Sequence, residues 1–177
     1  MSPLADLRYP IGRFQAPEPI TSQDLQSAID AIAALPSELR AALRDLRDAQ
    51  IDTPYRPDGW TVRQLVHHVA DSHMNAFTRI RKALTEKEPD ITAYNEKAWA
   101  ELVDSRHAEI DLSLSIIEAL HRRWSMMLRS LTAADLARCY RHPERGTVRV
   151  DNTVLLYAWH GRHHIAHITA LRKRERW

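Results

Sequence analysis

Four long stretches of this chain carry apolar residues three or four positions apart, the spacing of a helix face. The first is Leu25, Ile29, Ile32, Leu39, Leu43 and Leu46. The second is a wide stripe of Val62, Leu65, Val66, Val69, His73, Ala76, Phe77 and Ile80. Leu112, Ile116, Leu120, Trp124, Met127 and Leu131 form the third, and the fourth opens at Asp151-Asn152 and runs to about Lys173. Each stripe must be covered by another element, and four amphipathic helices cover one another as a bundle. The fold class expected is therefore all-α, a four-helix bundle with short extra helices, in a single domain over 1–177. Gly is only 4 of 177 residues, which disfavours a turn-rich β sandwich and leaves no glycine-rich phosphate loop.

Local signals place the boundaries. Thr21 with Asp24 and Thr61 with Gln64 are capping boxes, in which a hydroxyl and a side chain three residues on satisfy each other's free amides. Pro36 falls inside the first periodic run and predicts a kink or a split there. Residues 1–20 contain Pro3, Pro10, Pro17 and Pro19 without periodicity, and predict an extended N-terminal arm. Ile51–Gly59 reads as a loop, Asn95–Leu102 as a short helix, and Thr132–Leu136 as a brief helical turn. Arg141–Val150 reads as a turn with extended flanks.

Composition removes several function classes. Lys plus Arg is 25 and Asp plus Glu 23, a net charge of +2, so strong non-specific nucleic-acid binding is not expected. No window approaches the roughly 18 consecutive apolar residues of a membrane span. No basic run followed by an apolar stretch stands in Met1–Pro10, so a secretory signal is not expected. The lone Cys139 excludes an internal disulfide and suits a reducing compartment, hence a cytoplasmic location.

Histidine is the outlier: there are 10, and they cluster at His67-His68…His73 and His160…His163-His164…His167. His160 and His164 are four apart, which puts both imidazoles on one helix face within reach of one ion. His163 and His167 repeat that spacing. A single H-x-x-x-H is common on surface helices and means little; a further histidine from another helix gives it weight, and His67 or His68 can supply one. Three histidines with no cysteine nearby suit Zn²⁺ or Ni²⁺ and leave coordination positions open. His73, on an apolar stripe, reads as buried and hydrogen-bonded, and His107, His121 and His142 as structural. Asp71 could hold a ligand imidazole but reads more simply as a solvated helix acid. Cys139 lacks a basic neighbourhood and reads as inert. Trp60, Trp99, Trp124 and Trp159 read as core or pocket lining. The basic tail Arg172–Arg176 suits a helix C-terminus.

Long motifs add to this. Tyr9-Pro10-Ile11-Gly12, Asp52-Thr53-Pro54-Tyr55-Arg56-Pro57, Gly59-Trp60-Thr61-Val62-Arg63-Gln64, His67-His68-Val69-Ala70-Asp71-Ser72-His73-Met74-Asn75 and Tyr157 through Ile168 resemble the YfiT branch of the DinB superfamily, from about Tyr9 to Trp177. The resemblance implies a bundle holding one Ni²⁺ or Zn²⁺ per subunit through three histidines, often in a homodimer. It places two metal ligands on His160 and His164. The third falls in His67-His68: the broader W-x₇-H pattern counted from Trp60 lands on His68, while the YfiT branch favours His67. Adjacent helix residues point about 100° apart, so only one of them can ligate.

The activity the resemblance implies is that of a metal-dependent hydrolase, or of an S-transferase joining a low-molecular-weight thiol such as bacillithiol to a small-molecule electrophile. Thiol transfer is the first expectation, because a coordinated thiol ionises at neutral pH and needs no protein base. Hydrolysis is second, with His163 and His167 as spare imidazoles. The alternative is a non-catalytic bundle whose metal is structural or buffered. No catalytic residue and no organic cofactor site is assigned from sequence.

Overall fold

The computed structural model describes residues 7–177, so the beginning of the expected arm, including Pro3, lies outside the described residues. In chain order the helices are α1 (Ser22–Leu43), α2 (Asp48–Ile51), α3 (Val62–Thr85), α4 (Glu96–Ala100), α5 (Val103–His107), α6 (Ile110–Arg129), α7 (Ala133–Leu136) and α8 (Val150–Glu175). A hairpin of β1 (Cys139–His142) and β2 (Gly146–Arg149) pairs antiparallel, with His142 opposite Gly146. Gly146 has φ +68, which a turn there requires of a residue without Cβ. The four periodic runs are the four long helices, and the fold is a four-helix bundle. α1 packs against α6 and α8, and α3 packs against the same two, so α1 and α3 stand diagonally across the bundle.

Thr21 and Thr61 cap α1 and α3 as the sequence predicts, each accepting from the amide three residues on. Pro36 does not split α1, which runs unbroken through it. The short helices α2 and α5 lie in segments that carry no periodic signal, being too brief to show one. Of the arm, Phe14 and Ile20 pack on the bundle, and the Tyr9 ring sits 6.1 Å from that of His163. At the other end Arg172 donates to the carbonyls of Ala42 and Arg44, both at 2.9 Å, tying the basic tail to the end of α1.

The core falls into two apolar clusters. One holds Ile29, Ile32, Phe77, Ile80, Trp124 and Val154; the other holds Leu39, Leu65, Val66, Ile117, Ile168 and Leu171. The change from one to the other comes at the same level of every long helix. It lies between Ile32 and Leu35, between Ala70 and Ala76, between Ile117 and Trp124, and between Ala158 and Ile168. His73, His121, His160 and His164 fill the intervals on α3, α6 and α8. Each apolar cluster gains about 1.5–3 kcal/mol per large side chain buried, whereas a buried polar layer costs free energy unless its groups are bonded. The layer is therefore where function is expected.

Candidate metal centre

α3 carries His67 and His68 side by side, and the helical turn sends them to different neighbours. The His67 Nε2–H donates to the carbonyl of Ala108 at 3.2 Å, which leaves its Nδ1 to accept from the Ser113 hydroxyl at 2.7 Å. Both of its nitrogens are thus engaged towards α6. His68 faces α8. Its Nε2 lies 3.4 Å from the Nε2 of His160, and the Nε2 of His164 lies 3.1 Å from the same atom. Among the described residues, His68, His160 and His164 form a group whose ring nitrogens lie within 4.8 Å of one another. His67 lies outside that group.

These distances test whether a metal fits. A tetrahedral ion with Zn–N bonds of 2.0–2.1 Å separates its ligand nitrogens by about 3.3 Å. The two observed Nε2 separations, 3.1 and 3.4 Å, bracket that value. Three imidazoles pointing the same nitrogen at one another cannot all be satisfied by hydrogen bonds, but all three lone pairs are satisfied by a cation. Burial also favours the neutral ring that a metal needs. Burial pushes His68 down to about 4. Burial, and then the charge of neighbouring imidazoles, holds His160 and His164 well below the usual histidine value.

The trio opens into a cleft of about 940 Å³ whose walls include Trp60, Trp159, Arg56, Arg145, Glu96 and Glu101. His160 also borders a second hollow of about 590 Å³, lined by Ser72, Arg79, Tyr94, His142 and Tyr157. His163 and His167 line the larger cleft, their Nε2 atoms 3.1 Å apart, with His163 stacked on Trp159 and His167 against Tyr55. Burial, followed by the charges of His163 and Arg56, pushes His167 down to about 3.

Asp71 makes no hydrogen bond to a histidine; burial and then the charge of Asp104 push it up to about 6. Trp124 is fully buried and Trp60 and Trp159 line the cleft, but Trp99 is 39% exposed and rests on Tyr94 rather than in the core. His73 is fully buried and bonded, and so is His121: the two bond to each other, and His73 bonds to His160. That link between two residues read as structural and a third read as a ligand was missed. Its trace in the sequence is the placing of His73 and Trp124 on facing apolar stripes, with His121 one turn before Trp124.

A family model described as the DinB superfamily matches residues 31–168. The chain is 54% identical over 172 residues to a protein of Bacillus cereus named "Putative metal-dependent hydrolase", covering 97% of this chain and 99% of that one. A protein of the same name from Bacillus thuringiensis matches equally. YfiT from Bacillus subtilis, a solved structure described as a probable metal-dependent hydrolase with an unusual four-helix bundle topology, superposes with a TM-score of 0.94 at 45% identity, covering 97% of this chain and 98% of YfiT. A second solved four-helix bundle protein shares the fold at a TM-score of 0.53 and 19% identity, covering 80% and 94%. This chain therefore belongs to the DinB superfamily.

Proposed function

We propose that the chain is a metal-dependent enzyme acting on a small molecule, with one divalent ion, Zn²⁺ or Ni²⁺, held by His68, His160 and His164. The observation that supports it most is the convergence of three bare Nε2 atoms at the mouth of a cleft. The ion would supply Lewis acidity, lowering the pKa of a water or thiol beside it. Three protein ligands next to an open cleft suit that use better than a purely structural or buffering metal, which calls for a closed shell.

For the reaction we put transfer of a low-molecular-weight thiol to an electrophile first. Hydrolysis needs a group that takes and keeps a proton near neutral pH. His167, held near 3, accepts a hydrogen bond but keeps a proton poorly, and Glu101 is occupied by Gln64 and Arg106. A thiol ionised beside the ion needs no such group. The cleft walls carry Arg8, Arg56, Arg145 and Lys97 beside Asp58, Glu96 and Glu101, a mixed-charge lining that suits a polar substrate. Hydrolysis is the second reading, supported by the names of the relatives and by Glu96 on the cleft wall.

The test is direct. The purified protein is assayed for bound metal by elemental analysis, with about one ion per chain expected. His160→Ala should remove most of it and leave the helical spectrum intact. Undiminished metal in that variant defeats the assignment. Metal-loaded protein is then given a panel of thiols with an aryl halide and, separately, esters and amides. Brisk hydrolysis without thiol consumption moves the second reading to first place.

We also propose that the chain works as one domain over 1–177, in a cytoplasmic homodimer. The resemblance supports the dimer, as do Leu112 and Ile116, four apart and exposed on α6. Light scattering should give twice the 20.4 kDa of one chain. Among the described residues no helix is long and apolar enough to cross a membrane.

A further inference from the structure

Of the three imidazoles in the proposed centre, His160 alone has its second nitrogen held by another side chain, among the described residues. Its Nδ1 lies 3.1 Å from Nε2 of His73. Nδ1 of His73 lies 2.9 Å from Nε2 of His121, and Nδ1 of His121 lies 2.6 Å from the carbonyl oxygen of Ile32. All the bridging rings are buried, His73 at 0% and His121 at 1% exposure. The line crosses the bundle from α8 through α3 and α6 to α1.

The far end decides the direction of every proton in the line. A carbonyl only accepts, so His121 must carry its proton on Nδ1, which leaves its Nε2 bare. His73 must then donate from Nδ1, which leaves its own Nε2 bare. His160 must donate from Nδ1 in turn. Neither bridging ring has a carboxylate partner among the described residues, so an added proton would be a buried, uncompensated charge.

The Ile32 carbonyl is available for a reason written in the sequence. In a helix it would accept from the amide of the residue four positions on, and that residue is Pro36, which has no N–H. The proline that the sequence marks as a helix breaker thus frees the acceptor on which the line ends, while α1 continues through it.

We propose that Pro36, Ile32, His121 and His73 form a positioning chain that fixes the tautomer of His160, with the proton on Nδ1 and the Nε2 lone pair bare towards the ion. The effect on metal affinity rests on the metal centre proposed above; the tautomer assignment does not. Outer partners that orient a ligand imidazole in this way typically alter metal affinity about 10–100-fold.

Two measurements on the full-length chain test it. In metal-free, ¹⁵N-labelled protein, imidazole ¹H–¹⁵N spectra should show His121, His73 and His160 all protonated on Nδ1 and bare on Nε2. A proton on Nε2 of His160 or of His121 overturns the proposal. The second is Zn²⁺ affinity by chelator competition. His121→Phe keeps a ring but loses both bonds; it should mix the tautomers of His160 and lower affinity about 10–100-fold. His121→Gln, whose amide can donate to Ile32 and accept from His73, should recover part of that loss. Pro36→Ala, which gives Ile32 back its helical partner, should lower affinity by less than His121→Phe. Wild-type affinity in a folded His121→Phe protein overturns the chain, and wild-type affinity in Pro36→Ala removes the proline from it. If His121→Phe does not fold, the wild-type spectra still decide. If wild-type protein binds no Zn²⁺ at all, the metal centre fails while the spectra continue to test the chain.

Discussion

Two pairs of histidines on α8 share one spacing and one cleft and differ in what backs and faces them. His160 and His164 meet His68 from a facing helix, and His160 is backed by His73, His121 and the Ile32 carbonyl. His163 and His167 bond to each other, between Trp159 and Tyr55 on the cleft wall, with the Tyr9 ring 6.1 Å from His163. The difference shows that an i, i+4 pair becomes a candidate site through what stands behind and opposite it. For the first pair that is a third ring from another helix and an acceptor at the end of the line. For the second it is two aromatic faces, which can hold a substrate but cannot complete a coordination shell.

The sharpest way to break this comparison is to delete one member of each pair. His164→Ala should lose Zn²⁺ affinity by more than about 100-fold, beyond what loss of an outer partner costs. His167→Ala should bind Zn²⁺ as the wild type does, with any loss confined to turnover. Chelator competition on both variants is the check, and equal losses would erase the distinction between the pairs.

Acid should act on both pairs alike until metal is added. Burial, the first cause for each, holds His68 and His121 at about 4 and His167 at about 3. Their folded values lie below the unfolded value near 6.5, so the unfolded chain binds protons first as pH falls. Stability is therefore complete above about pH 6.5 and is lost towards pH 4, by about 1.4 kcal/mol per pH unit for each such histidine. Asp71 acts in the opposite sense: its folded value is raised to about 6, so its contribution is lost as pH rises through 6 and returns on acidification. The histidines outnumber it: His68, His121 and His167 alone give a net loss of about 2 kcal/mol between pH 6.5 and 5.5. Burial also holds His73, His160 and His164 low, so urea unfolding of metal-free protein should show a loss of at least that size. His167→Gln should flatten that curve without changing the Zn²⁺ dependence.

Much of this was legible beforehand because the signals are periodic. The four long helices follow from apolar spacing, and Thr21 and Thr61 mark two of their starts. The helical repeat pairs His160 with His164 and equally His163 with His167, and the resemblance rather than the spacing chose the first pair. What spacing could not give is direction across the bundle. His67 and His68 are neighbours in sequence, and only the packing of α3 between α6 and α8 turns one towards Ser113 and the other towards His160. Pro36 was legible as a kink or a split in the first run, whereas the carbonyl it orphans at Ile32, and the side chain that takes it, depend on α1 running through the proline and on where α6 lies. Trp99 was misplaced because the segment that carries it is too short for periodicity to assign a buried face.

The neighbours on α3 supply the next test. His68→Ala should lose metal like His164→Ala. His67→Ala should keep it and instead lose about 1–3 kcal/mol of stability, because Ser113 is left buried without its partner while Ala108 retains Arg63. Metal content and urea midpoints together separate the two outcomes, and metal loss in His67→Ala would return that residue to the ligand set.

The smallest effect should come from the glycine between the two members of the first pair. A Cβ on Gly161 would lie 2.6 Å from Cδ1 and 3.1 Å from Cδ2 of Leu35, a side chain only 3% exposed. Alanine in a helix interior gains about 1 kcal/mol over glycine, whereas overfilling a packed core costs about 1–3 kcal/mol. Leu35 can swing its end only into the apolar cluster around it, so the steric cost should win by a margin of about 1 kcal/mol. The same push moves α8 away from α1 beside His160, which alters its approach to His68 and lengthens the line to Ile32. His163 and His167 lie on the same helix and would move together. Gly161→Ala should therefore weaken Zn²⁺ binding less than any ligand deletion while leaving the His163–His167 contact intact. A variant that is more stable than wild type and binds Zn²⁺ equally would show that the close approach of α1 and α8 does not set the geometry of the first pair.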